Sequence, residues 1–249
     1  MRILIVVPTF NERENLPTLV RGLLQHPDYR VLVVDDGSPD GTGAVANDLS
    51  RDSNGRVSCL HRNGPRGLGL SYVEGFTEAV ASDADFVCQM DADLSHDTTD
   101  LPRMIAAASR CDLVVGSRYL HAGATPGWPV RRRVLSRFAN WYTRAFAKLP
   151  QHDCTSGFRC WRREALARID LRRVLSRGYA FQVEMLMAAV QAGFRIAEVP
   201  ISFRERAQGT SKMSAGVIAE SALLPWRLRS RADGISRAHA VVSTQRDST

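Results

Sequence analysis

The sequence predicts an α/β protein built on a doubly wound, mostly parallel sheet. Three observations carry that prediction. Short apolar runs recur at Ile3–Val7, Val31–Val34, Phe86–Met90 and Leu113–Val115, the pattern of strands buried on both faces. Amphipathic stretches of helical length alternate with them, as crossover-linked parallel strands require. The first three of these runs each lead into carboxylates: Glu12, then Asp35 and Asp36, then Asp91 and Asp93. Open α/β sheets bind their ligands at that carboxyl edge.

Taken in order, Ile3 to Val7 is the first strand, ended by Pro8 and followed by a loop over 9–14. Asn15 is placed to cap a helix carrying Leu16, Leu19, Val20, Leu23 and Leu24, and Pro27 stops it. The second strand leads into dense turn chemistry at Gly37–Thr42. A helix over 42–51, a third strand near 56–61, a glycine-rich loop over 62–69 and a helix over 70–82 precede the fourth strand. Gly67-Leu68-Gly69 is not a dinucleotide fingerprint, because it lacks the third glycine and does not follow the first strand.

The second half opens with a helix over 100–109, then a strand over 112–118 that ends in Arg118 rather than in acid. From Leu113 to His152 there is no Asp or Glu. Within that stretch Val134, Phe138, Trp141, Ala145 and Leu149 recur at helical spacing beside Arg133, Arg137, Asn140, Arg144 and Lys148. This amphipathic helix over 132–149 has two readings: an aromatic stripe packed on the core, or a basic helix lying on an anionic membrane. A polar loop over 153–159 follows, then a helix over 179–192 with Gly193 as its stop. Pro200 interrupts a strand over 196–203 and assigns it to a sheet edge. Residues 1–212 read as one domain, 213–231 as an amphipathic basic segment, and 232–249 as a polar, disordered tail.

The net charge is +7, and all but two of the 33 basic residues are arginine, so acidic partners are favoured. A nucleic acid is not among those expected, since the paired acids would repel its backbone and no helix-turn-helix or RNA-recognition signature is present. Five widely spaced cysteines without a C-x-x-C pair read as the buried, reduced thiols of a cytosolic protein. The apolar start is too short for a signal peptide and no transmembrane run occurs, so a peripheral membrane contact is expected.

Asp91 and Asp93 stand one residue apart at the end of a strand. Positions i and i+2 of an extended chain share a face, so the two carboxylates converge. Hard oxygen ligands of this kind suit Mg²⁺ or Mn²⁺. Acids for a metal and for a sugar or base, with Arg118, Arg206 and Lys212 as cations for phosphate, are what a nucleoside diphosphate substrate requires.

Val6-Val7-Pro8-Thr9-Phe10-Asn11-Glu12, Val34-Asp35-Asp36-Gly37-Ser38, Met90-Asp91-Ala92-Asp93-Leu94-Ser95-His96 and Gly116-Ser117-Arg118-Tyr119 resemble motifs of the inverting family 2 glycosyltransferases. They look in particular like those of the dolichol/polyprenol phosphate mannose synthases. Thr155–Arg159, Val199–Phe203, Arg206 and Ser211-Lys212 extend the match in order over about residues 1–228. The resemblance implies a GT-A-type fold and transfer of mannose from GDP-α-mannose to a polyprenyl or dolichyl phosphate with inversion. It implies that Pro8, Phe10, Glu12, Val34 and Asp36 hold the guanosine, and that Asp91 and Asp93 bind Mg²⁺ or Mn²⁺ and the diphosphate. Met90 and Ala92 would contribute backbone, Arg118 would contact the sugar nucleotide, and Arg206 and Lys212 would close over the diphosphate. Catalysis is expected to rest on Asp93, Arg118 and Lys212. Arg132 and Ser136 would receive the acceptor phosphate, with Arg131 or Arg133 as alternatives to Arg132. The alternative donor is UDP-glucose or UDP-N-acetylglucosamine, used on undecaprenyl phosphate. The lipid would be met at the cytoplasmic face of the membrane, by peripheral docking or through a membrane-embedded partner protein.

Overall fold

A computed structural model describes residues 1–204; the segments expected at 213–231 and 232–249, and with them Arg206 and Lys212, lie outside the described residues. Its centre is a seven-stranded sheet. The elements in chain order are β1 (Ile3–Thr9), α1 (Leu16–Leu23), β2 (Tyr29–Asp35), α2 (Thr42–Asp52), β3 (Val57–His61), α3 (Leu68–Ala81) and β4 (Phe86–Gln89). Then come α4 (Leu101–Ala108), β5 (Leu113–Ser117), α5 (Val130–Ala147), β6 (Arg159–Arg162), α6 (Arg163–Leu166), α7 (Ala180–Gln191) and β7 (Ile196–Pro200).

The strand order is β3-β2-β1-β4-β6-β5-β7. β6 alone runs antiparallel to its neighbours. Alternation along each strand divides the core in two. Ile3, Ile5, Val7, Val31 and Val33 face one layer with α1 and α4, whereas Leu4, Val6, Leu32 and Val34 face the other with α3 and α7. Helices on both faces explain why these strands are apolar throughout rather than alternating. β7 lies at the sheet edge as Pro200 predicts, and Gly193 takes the left-handed conformation after α7.

Pro8 lies inside β1, a central strand, where proline normally breaks the ladder. Val6 accepts the Met90 N–H, so even positions of β1 face β4. The β1–β4 register ends at Val6 and Gln89, and Pro8 points past the end of β4. Its missing N–H therefore costs no ladder bond, and that open edge is where the chemistry gathers. Two local expectations change. Asn15 does not cap α1 with its side chain, and its amide donates to Glu12 Oε2 at 2.8 Å instead. β6 is not among the expected strands and begins at Arg159, the last residue of the expected loop, because Arg159-Cys160-Trp161-Arg162 shows neither strand length nor apolar alternation.

All five cysteines are free, four of them buried. Among the described residues no helix is long and apolar enough to cross a membrane.

Candidate active site

β4 ends at Gln89, and the chain bends over 92–94 with Leu94 at φ 61°. Asp91 and Asp93 are therefore brought together by a turn and not by strand alternation. Local hydrogen bonds hold the turn. Ser95 donates its N–H (3.1 Å) and its hydroxyl (2.6 Å) to Asp93 Oδ1, and Asp91 N–H donates to His96 Nδ1 at 3.3 Å. His96 is buried, stacks on Phe158 at 4.8 Å, and has its pKa lowered to about 4, chiefly by burial. It is neutral at physiological pH, as an Nδ1 acceptor must be. Behind Asp91 lies the fully buried Tyr72, whose pKa is raised by burial and by the Asp91 charge.

Both acids open onto a cavity of about 420 Å³ at the carboxyl edge of β1, β2 and β4. Pro8, Phe10, Glu12, Asp36, Asp91, Ala92 and Asp93, all expected from the sequence, line it together. Val34 and Met90 do not. Their side chains are fully buried in opposite core layers, so only their backbone could serve a ligand. Asp36 is braced from below, accepting from Arg62 and, at 2.8 Å, from the Gly67 N–H. Arg62, itself buried, also holds Glu74.

The far wall was not legible in the sequence. It consists of Arg66, Gly67, Leu68, Ser71, Arg177, Gly178 and Tyr179. The Arg66 guanidinium lies 4.8 Å from the Phe10 ring centroid. Gly69 explains how the wall closes: its N–H donates to Arg177 O at 2.8 Å, and a Cβ there would stand 2.0 Å from Ser176 O. The glycines that failed as a dinucleotide fingerprint let the 176–179 segment press against the start of α3.

Arg118, Arg132 and Ser136 are not among the residues that line this cavity. Arg118 is clasped by the fully buried Asp153, through Nε at 2.7 Å and Nη2 at 2.8 Å, and also donates to Thr155. Burial raises the Asp153 carboxyl, and the Arg118 charge and hydrogen bonds outweigh it, leaving the pKa below its ordinary value. Burial opposes the Arg118 charge, but Asp153 overcomes it, and Asp91 adds to the rise in the arginine's pKa. Ser136 hydrogen-bonds Tyr119 Oη at 2.6 Å, and Arg132 stacks on Trp128 at 4.1 Å. Arg131 and Arg133 are exposed, whereas Arg132 is half-buried.

α5 inverts the usual arrangement of an amphipathic helix. Its buried residues are Asn140 and Thr143, and the Asn140 side chain bonds the backbone of His152 and Cys154. The apolar stripe of Val134, Phe138 and Trp141 is about 60% exposed (62, 59 and 60%). Among the described residues nothing covers these three, whereas Leu149, the last position of the expected stripe, is buried in the core layer of α3 and α7.

The sequence profile of glycosyl transferase family 2 matches residues 4–170. The chain belongs to glycosyl transferase family 2. It is 45% identical to the polyprenol monophosphomannose synthase of Mycolicibacterium smegmatis, over 97% of this chain and 91% of that one. It is 42% identical to the undecaprenyl-phosphate mannosyltransferase of Micrococcus luteus, over 94% and 98%. The solved mannosyltransferase PcManGT of Pyrobaculum calidifontis, in complex with GDP-Man and Mn²⁺, shares the fold at a TM-score of 0.55 and 18% identity. That alignment covers 96% of this chain and 75% of the other. The GT-A-type sheet of this glycosyltransferase is thus the expected one.

Proposed function

We propose that this glycosyltransferase moves mannose from GDP-α-mannose to a polyprenyl phosphate, giving the β-linked mannosyl phospholipid and GDP. The observation that carries the reading is the convergence of three strand ends on one cavity. Glu12, Asp36, Asp91 and Asp93 meet there, close enough to Arg118 for the Asp91 charge to raise the arginine's pKa. The names of two relatives alike over nearly the whole chain suggest the sugar and the lipid phosphate.

Asp91 and Asp93 fit a divalent cation. They are hard oxygen donors, fixed by a hydrogen-bonded turn. Among the described residues no cluster of three His, Cys, Asp or Glu side chains accompanies them. Mg²⁺ or Mn²⁺ held by one or two carboxylates completes its shell with substrate phosphate oxygens. When bound, the ion neutralises charge on the diphosphate leaving group. Phe10, Glu12 and Asp36 would hold the nucleoside. Asp153 keeps Arg118 charged, Arg118 would contact the sugar nucleotide, and Arg132 and Ser136 would seat the acceptor phosphate.

A phosphate monoester is anionic at neutral pH, so its oxygen attacks the anomeric carbon without a general base. The histidines agree with this. His96 is occupied with Asp91, and His152 with Glu198 at 2.9 Å. His61 comes within 3.9 Å of Asp35, but neither lines the cavity. Rate enhancement then comes from alignment and charge neutralisation. The lipid would be met by peripheral docking of α5 on the cytoplasmic face of the membrane, its exposed Phe138 and Trp141 entering the interface beside a run of arginines.

Calorimetric titration tests the donor assignment. With Mg²⁺ or Mn²⁺ present, GDP-mannose should bind and UDP-glucose should not, and Asp93→Ala should abolish the metal dependence. Tighter binding of UDP-glucose would overturn it.

A further inference from the structure

Phe203 follows β7 by three residues and is half-buried. Its ring meets groups from three separate parts of the site. His96 stands edge-on at 5.1 Å and 72°, and Trp128 at 5.6 Å and 85°. The Arg118 guanidinium carbon lies 5.4 Å from the ring centroid. Each contact leads to a different function. His96 holds the Asp91 N–H, Arg118 is the cation locked by Asp153, and Trp128 carries Arg132 on its face at 4.1 Å. The backbone repeats the connection. Phe203 N–H donates to Ala124 O in the loop before α5, and Arg204 N–H donates to Ser95 O in the acidic turn, both at 2.9 Å.

We infer that Phe203 is a positioning residue for the transfer, whose ring keeps the acceptor-side Arg132 in register with the turn that carries Asp91 and Asp93. The inference rests on the proposed function and deepens it. In-line attack requires the acceptor phosphate and the leaving diphosphate to be held on one axis. Asp91 and Arg132 come from segments about forty residues apart in sequence, and the stack His96–Phe203–Trp128–Arg132 runs between them. Edge-to-face rings prefer a narrow geometry, and a guanidinium prefers the face of an indole. An aliphatic side chain at 203 would fill volume without fixing either. The stack also singles out Arg132 from Arg131 and Arg133, because among the described residues Arg132 is the one of the three seated on a ring.

The test uses the full chain, with Phe203→Leu, Phe203→Tyr and Trp128→Leu. Steady-state transfer to a short polyprenyl phosphate is measured beside the GDP-mannose Kd. Phe203→Leu should lower kcat/KM for the acceptor by about a hundredfold, through both constants, while the donor Kd stays within about twofold. Phe203→Tyr should restore both constants, and Trp128→Leu should raise the acceptor KM alone. Unchanged acceptor kinetics in Phe203→Leu would overturn the inference. So would a parallel loss of donor binding, or a loss that tracks thermal unfolding and is not rescued by tyrosine. A wild-type chain that neither binds GDP-mannose nor transfers from it would overturn the proposed function, and this inference with it.

Discussion

Asp153 and Arg118 form a buried pair in which each side chain is useful only while the other is present. Asp153 accepts from the Arg118 backbone N–H and from two guanidinium nitrogens, with its own side chain fully buried. Removing one partner of such a pair leaves an uncompensated buried charge, at about 3–5 kcal/mol. Asp153→Asn should therefore lower stability by about that amount in urea titrations at neutral pH, and should reduce turnover by releasing Arg118. The sign with pH follows from the lowered pKa of Asp153. Its folded value lies below its unfolded one, so the contribution is complete above about pH 4 and is lost as pH falls through the folded value. Wild type should lose stability toward pH 3 more steeply than Asp153→Asn. Equal acid limbs would show that the pair is not coupled to folding.

A second residue-scale prediction concerns Gly69. An alanine methyl would stand 2.0 Å from the Ser176 carbonyl oxygen, so the 176–179 segment must move outward. Gly69→Ala should weaken nucleotide binding by opening the wall formed by Arg177, Gly178 and Tyr179. Titration with GDP checks it, and an unchanged Kd would remove this wall from the nucleotide site.

At the scale of the element, α5 separates attachment from exposure. The helix is tied down through Asn140, and Phe138 and Trp141 contribute little to the described core. A double Phe138→Ser/Trp141→Ser variant should keep its stability within about 0.5 kcal/mol, as surface changes do. Co-sedimentation with vesicles containing anionic lipid should fall by at least about tenfold, since each ring buried in an interface carries about 1.5–3 kcal/mol. A loss of stability with unchanged vesicle binding would mean that the stripe packs against protein. The DxD turn is the other decisive element. Ser95 holds the Asp93 carboxylate and His96 holds the Asp91 backbone N–H, so the turn is set before any ligand arrives. Asp93→Ala should collapse transfer while leaving the sheet intact by circular dichroism.

At the scale of the whole molecule, the parallel sheet was legible because its central strands are apolar on both faces and three of them, β1, β2 and β4, lead into acids. Glu12, Asp36, Asp91 and Asp93 could be found that way, and all four meet in the cavity. What stayed hidden was whatever depends on long-range closure. β6 has two arginines in four residues, and the fully buried Arg159 satisfies part of itself on the Ser156 and Cys154 carbonyls while burial pushes its pKa down to about 10. Asp153 looked like one more loop acid, because its partner lies 35 residues earlier. The Arg66 and Arg177 wall comes from two loops brought together by glycine contacts that carry no local signal.

The account stands or falls on metal-dependent transfer of mannose to a lipid phosphate. The direct measurement is radiolabelled GDP-mannose with a short polyprenyl phosphate, detergent and Mg²⁺ or Mn²⁺, with label followed into the organic phase. The account predicts label in the lipid, abolished by EDTA and by Asp93→Ala. Transfer that survives both treatments, or lipid labelled from UDP-glucose but not from GDP-mannose, would contradict it.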